Sequence, residues 1–232
     1  MSQFAENLEK IRSRITEAAG RSGRNPEEIL LLAVSKTFPP DVIREAFDSG
    51  QTHFGENRVQ ELLTKIPELP PRIEWHLIGH LQSNKVRKIL ADVDMIQTVD
   101  SLDLAQRIDR IAGEIGVFPR VLIQVNIAED SAKFGFTAEA VRTEMETLLC
   151  LERLQIDGLM TIPAFDPDPE SARPAFANLR ELRDELASEF DLPLTELSMG
   201  MSHDFEVAIE EGATIVRVGS ALFGKRGKPK NE

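Results

Sequence analysis

Short apolar and β-branched runs alternate with amphipathic stretches along nearly the whole chain, and this alternation sets the fold class. At the start, Phe4, Leu8, Ile11, Ile15 and Ala18 recur at helical spacing, which predicts an amphipathic helix ending near Gly20. Runs at 29–35, 52–55, 74–78, 93–99, 120–126, 154–160, 195–199 and 213–218 then read as strands. Helical patterns lie between them at 40–49, 56–66, 83–90, 101–115, 137–151, 172–189 and 203–211. Ser101 suits the N-cap of a helix whose Leu102, Ala105, Ile108, Ala112 and Ile115 form one face, and Gly116 ends it. Phe176, Leu179, Leu182 and Leu186 mark a long later helix, where Pro174 is tolerable only near the first turn.

Eight strands alternating with helices, after an extra leading helix, predict an α/β fold. The expected form is a (β/α)8 TIM-like barrel with an additional N-terminal helix, and an open doubly wound sheet is the alternative. The 232 residues suit one such barrel, which takes roughly 250. No Gly/Ser linker or low-complexity tract divides the chain, and Pro67, Pro70 and Pro71 fit a loop. Residues 1–232 are therefore expected to form one domain, with 225–232 a flexible tail.

Composition narrows the function classes. With 39 acidic against 27 basic residues, the net charge of -12 disfavours nucleic acid and anionic membrane as partners. There is no 18-residue apolar stretch, and Glu6 and Glu9 stand where a signal peptide would be basic and then apolar, so a cytoplasmic location is expected. The single cysteine, Cys150, excludes an intrachain disulfide and a cysteine-cluster metal site, and its apolar helical setting reads as core.

The candidate chemistry begins at Lys36, where the apolar run 29–34 gives way through Ser35 to Thr37-Phe38-Pro39-Pro40. An amine at the exit of a buried strand is unusual, and desolvation there would favour the neutral, nucleophilic form that condenses with a carbonyl compound. The bland alternative is a lysine that snorkels to the surface. In such barrels the site lies at the C-terminal ends of the strands, and the loops after strands seven and eight commonly bind phosphate. Here those strands end in Ser198-Met199-Gly200-Met201-Ser202 and Val216-Arg217-Val218-Gly219-Ser220, which supply glycines, hydroxyls and backbone N–H groups. Arg217 alternates with Val216 and Val218, so it points into the barrel if they face the helices; an ordinary buried ion pair is the alternative reading. Amine, phosphate cradle and arginine together describe a site for an aldehyde bearing a phosphate, and pyridoxal 5'-phosphate (PLP) fits best. Asn57, in Phe54-Gly55-Glu56-Asn57, adds a neutral hydrogen-bonding group near Lys36, unless Glu56 or Asn57 merely caps a helix.

These residues resemble the pyridoxal phosphate homeostasis protein family, whose fold is similar to the N-terminal barrel of alanine racemase. The likeness runs from the leading helix to Gly224. It is carried by Ala33-Val34-Ser35-Lys36-Thr37, by Phe54-Gly55-Glu56-Asn57 with Val59-Gln60-Glu61, and by 75–85, which reads WHLIGHLQSNK. Lys133-Phe134-Gly135-Phe136, Gly158-Leu159-Met160, 197–202 and 216–219 continue it in order. The resemblance implies that Lys36 carries PLP as an internal aldimine, surrounded by Asn57, Ser198, Ser202, Arg217, Gly219 and Ser220. It also implies a largely monomeric binding protein acting in vitamin B6 and amino-acid or keto-acid balance, without established turnover. PLP-requiring apo-enzymes or a regulatory protein are the partners it suggests. Arg58 and His203 depart from the family's usual aromatic and acidic residues at the rim.

A racemase-like enzyme is the first alternative. Alanine racemase resembles this barrel but uses a tyrosine base supplied by a second domain, whereas this chain has no tyrosine and no residues left for such a domain. An arginine beside the ring nitrogen would also leave PLP a weak electron sink. A cofactor-free phosphosugar aldolase, using the same lysine and phosphate loops, is the second alternative. No metal site is expected: His76 and His80 are four apart, but Leu77 replaces the zinc-motif glutamate and Gly79 interrupts a helix. His76 is expected to pack beside Trp75, and His80 to line the mouth. Lys85, Arg87 and Lys88, and the tail residues Lys225, Arg226, Lys228 and Lys230, read as solvated charge. Lys133 either reaches the mouth, serves as a secondary aldehyde site, or caps a loop.

Overall fold

The computed structural model describes residues 2–130 and 132–224, so the basic tail at 225–232 lies outside the described residues. Eight strands close into a parallel barrel in sequence order: β1 Leu30–Val34, β2 His53–Glu56, β3 Glu74–Leu77, β4 Met95–Val99, β5 Arg120–Gln124, β6 Gln155–Met160, β7 Glu196–Met201 and β8 Ile215–Val218. The pairing of β1 with β8 closes the ring, with Leu31 opposite Val216 and Leu32 opposite Arg217. The barrel is thus realised, and the open sheet is excluded.

Alternation divides each strand between two cores. Leu32, Val34, Ile78, Met95, Leu122, Met160 and Ile215 form a small cluster of their own, while Leu31, Ala33, Phe54, Val216 and Val218 join the large core shared with the helices. Those helices are α1 Gln3–Arg21, α2 Pro40–Asp48, α3 Val59–Lys65, α4 Val86–Ile89, α5 Leu102–Ile115, α6 Ala138–Leu149, α7 Arg173–Phe190, α8 Phe205–Glu210 and α9 Ser220–Phe223. Ser101 caps α5 through a bond from the Leu104 N–H, and Gly116 ends it in the left-handed conformation at φ 76°. The leading helix α1 packs its apolar stripe against α8 and α9 and is tied there by the Arg14–Glu206 and Arg21–Glu210 ion pairs.

Three expectations need correction. Glu56 belongs to β2, in register with Leu77, and not to the following helix: its carboxylate is buried on the strand. The pattern at 83–90 resolves into a 3-10 turn, Ser83–Lys85, before the single turn of α4. Cys150 is exposed, because α6 ends at Leu149 and the cysteine sits at its C-cap, past the buried face formed by Val141, Met145 and Leu148.

Candidate functional site

Lys36 is half-buried just beyond β1 and lines a cavity of about 280 Å³ at the C-terminal end of the barrel. The backbone around it is unusual. Thr37 has φ 71°, a left-handed conformation that a β-branched residue adopts only under constraint, at a cost on the order of 1–3 kcal/mol. Its N–H donates to Glu61 Oε1 at 2.5 Å. Glu61 also accepts from Lys65 Nζ at 2.6 Å, and Lys65 in turn donates to Glu56 Oε1 at 2.6 Å and to the Ser35 carbonyl at 3.0 Å. Ser35 Oγ donates to Glu56 Oε1 at 2.7 Å. Burial raises the Glu56 carboxyl above its ordinary pKa against the pull of Lys65, and Glu56 Oε2 has no partner. For Glu61 burial acts the same way but is outweighed by the bonds from Lys65 and the Thr37 amide, which leave its pKa lowered.

The opposite wall comes from β7 and β8. Gly200, at φ 87°, lets the end of β7 pass over α8, where a Cβ would fall 2.5 Å from Ala208 Cβ. Beyond it, Ser202 Oγ accepts from the N–H groups of Gly219 (3.2 Å) and Ala221 (3.4 Å), joining the two strand exits and leaving its own proton to donate. A Cβ on Gly219 would stand 3.3 Å from Val34 Cβ, so glycine there sets the β8 exit close against the β1 exit beside Lys36. Gly79 does the same for Asn57, since a Cβ would overlap the Asn57 carbonyl. Asn57 Oδ1 is buried without a hydrogen-bond partner.

Arg217 points inward, as its alternation with Val216 and Val218 predicts, and is 4% exposed. It donates to Ser198 Oγ at 2.6 Å and to the Thr161 carbonyl at 2.8 Å. Ser198 passes the bond to Gln97 Oε1 (2.6 Å), and Gln97 Nε2 donates to His76 Nδ1 (2.8 Å). His76 accepts because it is neutral: burial first, then the nearby charges of His53 and Arg120, push its pKa down to about 3. Burial pushes Arg217 down to about 10 against the attraction of Asp204, so the guanidinium stays charged at neutral pH. Among the described residues no carboxylate forms an ion pair with it, which removes the ordinary buried pair as its explanation.

Six of the seven residues named from the sequence line this cavity: Lys36, Asn57, Ser202, Arg217, Gly219 and Ser220. Ser198 does not; its hydroxyl is buried behind Arg217 and engaged with Gln97. His203 is in the wall, and its Nε2 donates to the Pro167 carbonyl at 2.8 Å. Phe165, which no sequence pattern marked, also lines the cavity although it is 77% exposed, and its ring meets that of His203 at 5.5 Å. A larger cavity, about 590 Å³, opens at the N-terminal end. Among the described residues no lysine lines it, and within or beside its wall His53 is paired with Glu74 (3.1 Å) and Arg120 with Asp157 (2.6 Å). The smaller cavity, with Lys36 and Arg217 in its wall, is therefore the candidate site.

The remaining candidates fall outside this wall. His80 is bonded to Asp100 (2.8 Å), stacks on Phe134 at 4.0 Å, and borders a neighbouring cavity with Arg58 and Lys85. Lys133 donates to the Ile162 carbonyl at 3.1 Å in an adjoining cavity of about 200 Å³, an arrangement that ties its loop to β6. His76 does not pack beside Trp75, because neighbouring strand residues face opposite sides: Trp75 meets Phe54 in the outer core and His76 meets His53 inside. Among the described residues no cluster of three or more His, Cys, Asp or Glu side chains is placed to hold a metal ion. No described helix is long and apolar enough to cross a membrane.

A closed parallel barrel with a lysine at the exit of β1 and a cavity walled by β7 and β8 fits the alanine racemase N-terminal class, and residues 2–227 match the family model "Alanine racemase, N-terminal domain". Alanine racemase of Clostridium difficile 630 shares this fold at a TM-score of 0.75 and 18% identity, over 99% of this chain but 58% of its own. Much stronger likeness comes from "Pyridoxal phosphate homeostasis protein" of Aquifex aeolicus, 47% identical over 95% of this chain and 97% of the relative, and its namesake in Escherichia coli K12, 42% identical over 99% and 100%. Two solved structures of PipY from Synechococcus elongatus PCC7942, one without PLP and one with PLP bound, align at TM-scores of 0.87 and 0.86. Their identities are 45% and 44%, over 95% of this chain and 100% of each structure. Within the class, the chain belongs to the pyridoxal phosphate homeostasis protein family.

Proposed function

We propose that this protein binds PLP in the cavity beside Lys36 and holds it as a Schiff base on the Lys36 amine, acting as an intracellular carrier in vitamin B6 and amino-acid or keto-acid balance and not as a turnover enzyme. The observation that carries this reading is Arg217, a buried cation without a carboxylate partner in the same wall as a lysine amine and serine hydroxyls. The donor set fits the group. Ser202 and Ser220 offer hydroxyl donors and Gly219 close approach for a phosphate, Lys36 offers the nucleophile, and Arg217 offers a charge that an acceptor nitrogen or an anion would match. Asn57 Oδ1 offers an acceptor that no described residue uses. At about 280 Å³ the cavity suits a single ring with its phosphate rather than a dinucleotide.

When bound, PLP supplies an aldehyde and an electron-accepting ring. This chain's own residues hold it more readily than they use it. No tyrosine is present to act as a base, and an arginine gives up a proton poorly, so Arg217 would fix the ring without strengthening its electron demand. The names and the PLP-bound structure of its relatives support the same reading. Residues 1–232 as one monomeric barrel domain, a cytoplasmic location, and transfer of the cofactor to apo-enzymes or a regulatory partner are parts of this proposal. The test is incubation with PLP, borohydride reduction and peptide mass analysis: a pyridoxyl-phosphate adduct at Lys36 and no racemisation or decarboxylation of amino acids is expected. A phosphosugar trapped at Lys36, in protein that binds no PLP, would replace this reading with the aldolase.

A further inference from the structure

We propose that Glu61 and Lys65 are positioning residues for Lys36, gripping the backbone on both of its flanks so that the amine is presented to the cavity. The proposal rests on the PLP reading and deepens it. On one flank, Lys65 Nζ bonds the Ser35 carbonyl; on the other, Glu61 Oε1 bonds the Thr37 N–H; and Lys65 and Glu61 are bonded to each other on consecutive turns of α3. Lys36 is the one residue between the two gripped positions.

The strain at Thr37 gives the grip its purpose. A threonine at φ 71° relaxes toward negative φ unless something holds it, and such a change would swing the preceding peptide and carry Lys36 with it. The 2.5 Å bond to a carboxylate is a charge-assisted contact suited to hold that conformation. Glu56 anchors the assembly from beneath, since its Oε1 accepts from both Lys65 and Ser35. Two carboxylates around one ammonium are more negative charge than Lys65 needs for its own burial. Glu61 is the partly exposed member of the pair, and it is the one aimed at the Thr37 amide.

The clamp is tested with the full chain in three forms: unaltered, Glu61→Ala, and Glu61→Ala with Thr37→Gly, because glycine adopts positive φ without strain. PLP loading at Lys36 is followed by absorption and borohydride trapping, and Thr37 amide hydrogen exchange is read in the protein without PLP. The expected result is about tenfold weaker loading in Glu61→Ala with an unchanged circular-dichroism spectrum, and recovery to within about twofold in the double variant. Thr37 exchange should be slow in the unaltered protein and fast in Glu61→Ala. Equal loading of the unaltered protein and Glu61→Ala, or no recovery on adding glycine, would overturn the clamp. If Glu61→Ala does not fold, the exchange of Thr37 in the unaltered protein decides: slow exchange supports the clamp, and exchange at the rate of an unstructured peptide overturns it. Failure of the unaltered protein to trap PLP at Lys36 is a different result, and it removes the cofactor reading itself.

Discussion

Two buried cations flank the cavity and are treated in opposite ways. Lys65, 4% exposed, is bonded to two carboxylates and a carbonyl; Arg217, also 4% exposed, is bonded to a hydroxyl and a carbonyl, both neutral. Burying a charge is costly unless it is paired, so the first arrangement is complete in itself and the second is not. The lysine is satisfied within the scaffold, whereas the arginine meets only neutral partners, which is the basis of its proposed ligand role. On the proposed reading, the difference separates residues that hold the site from residues that would meet its occupant, one at the end of α3 and the other on β8.

Removing each cation in turn is the strongest way to break this comparison. Lys65→Met should destabilise the protein by about 3–5 kcal/mol in chemical denaturation, because it strands the fully buried Glu56 carboxylate and unpairs the partly exposed Glu61. A loss under 1 kcal/mol would show that the ion cluster is not structural. Arg217→Met breaks no ion pair, since Asp204 acts on it only at a distance, and should cost only about 1–2 kcal/mol of stability. The same change should weaken PLP binding by about ten- to a hundredfold, the equivalent of one charged hydrogen bond. If it instead unfolds the protein and leaves affinity intact, the assignment of the two cations is reversed.

A smaller effect tests the neutral chain behind Arg217. The folded pKa of His76, about 3, lies below its ordinary value of 6.5, so folding excludes a proton that the unfolded chain binds. The stability it contributes is fully present above pH 6.5 and falls, as pH drops from there toward 3, by about 1.4 kcal/mol per unit. Urea midpoints measured over that window for the unaltered protein and His76→Gln should differ in slope, with the variant flatter. Parallel curves would mean that His76 is protonated in the folded state and cannot accept from Gln97.

Much of this was legible in the sequence because it depends on periodicity and position. The strands declare themselves by apolar runs, Lys36 by ending the first of them, and Arg217 by alternating with two valines that pack outward. What was not legible depends on partners distant in sequence or on a single backbone angle. Glu56 reads as a helix start because it precedes a helical pattern, but its backbone pairs with β3 and its carboxylate is buried against Lys65, nine residues on. Nothing in a threonine announces a positive φ at Thr37. Gln97 is one polar letter in the run MIQTV, and its role needs Ser198, a hundred and one residues later. Phe165 reaches the cavity from the β6–α7 connection, where no periodicity constrains the side chain.

Everything proposed for the site depends on Lys36 being the residue that holds an aldehyde cofactor. The visible spectrum of the purified protein with PLP, recorded beside Lys36→Ala and followed by borohydride reduction and peptide mapping, tests it most directly. The expected result is an absorption band above that of free PLP and a pyridoxyl-phosphate mass on the peptide containing Lys36, both missing from Lys36→Ala. The same band in Lys36→Ala, or the mass on another lysine in the unaltered protein, would contradict it.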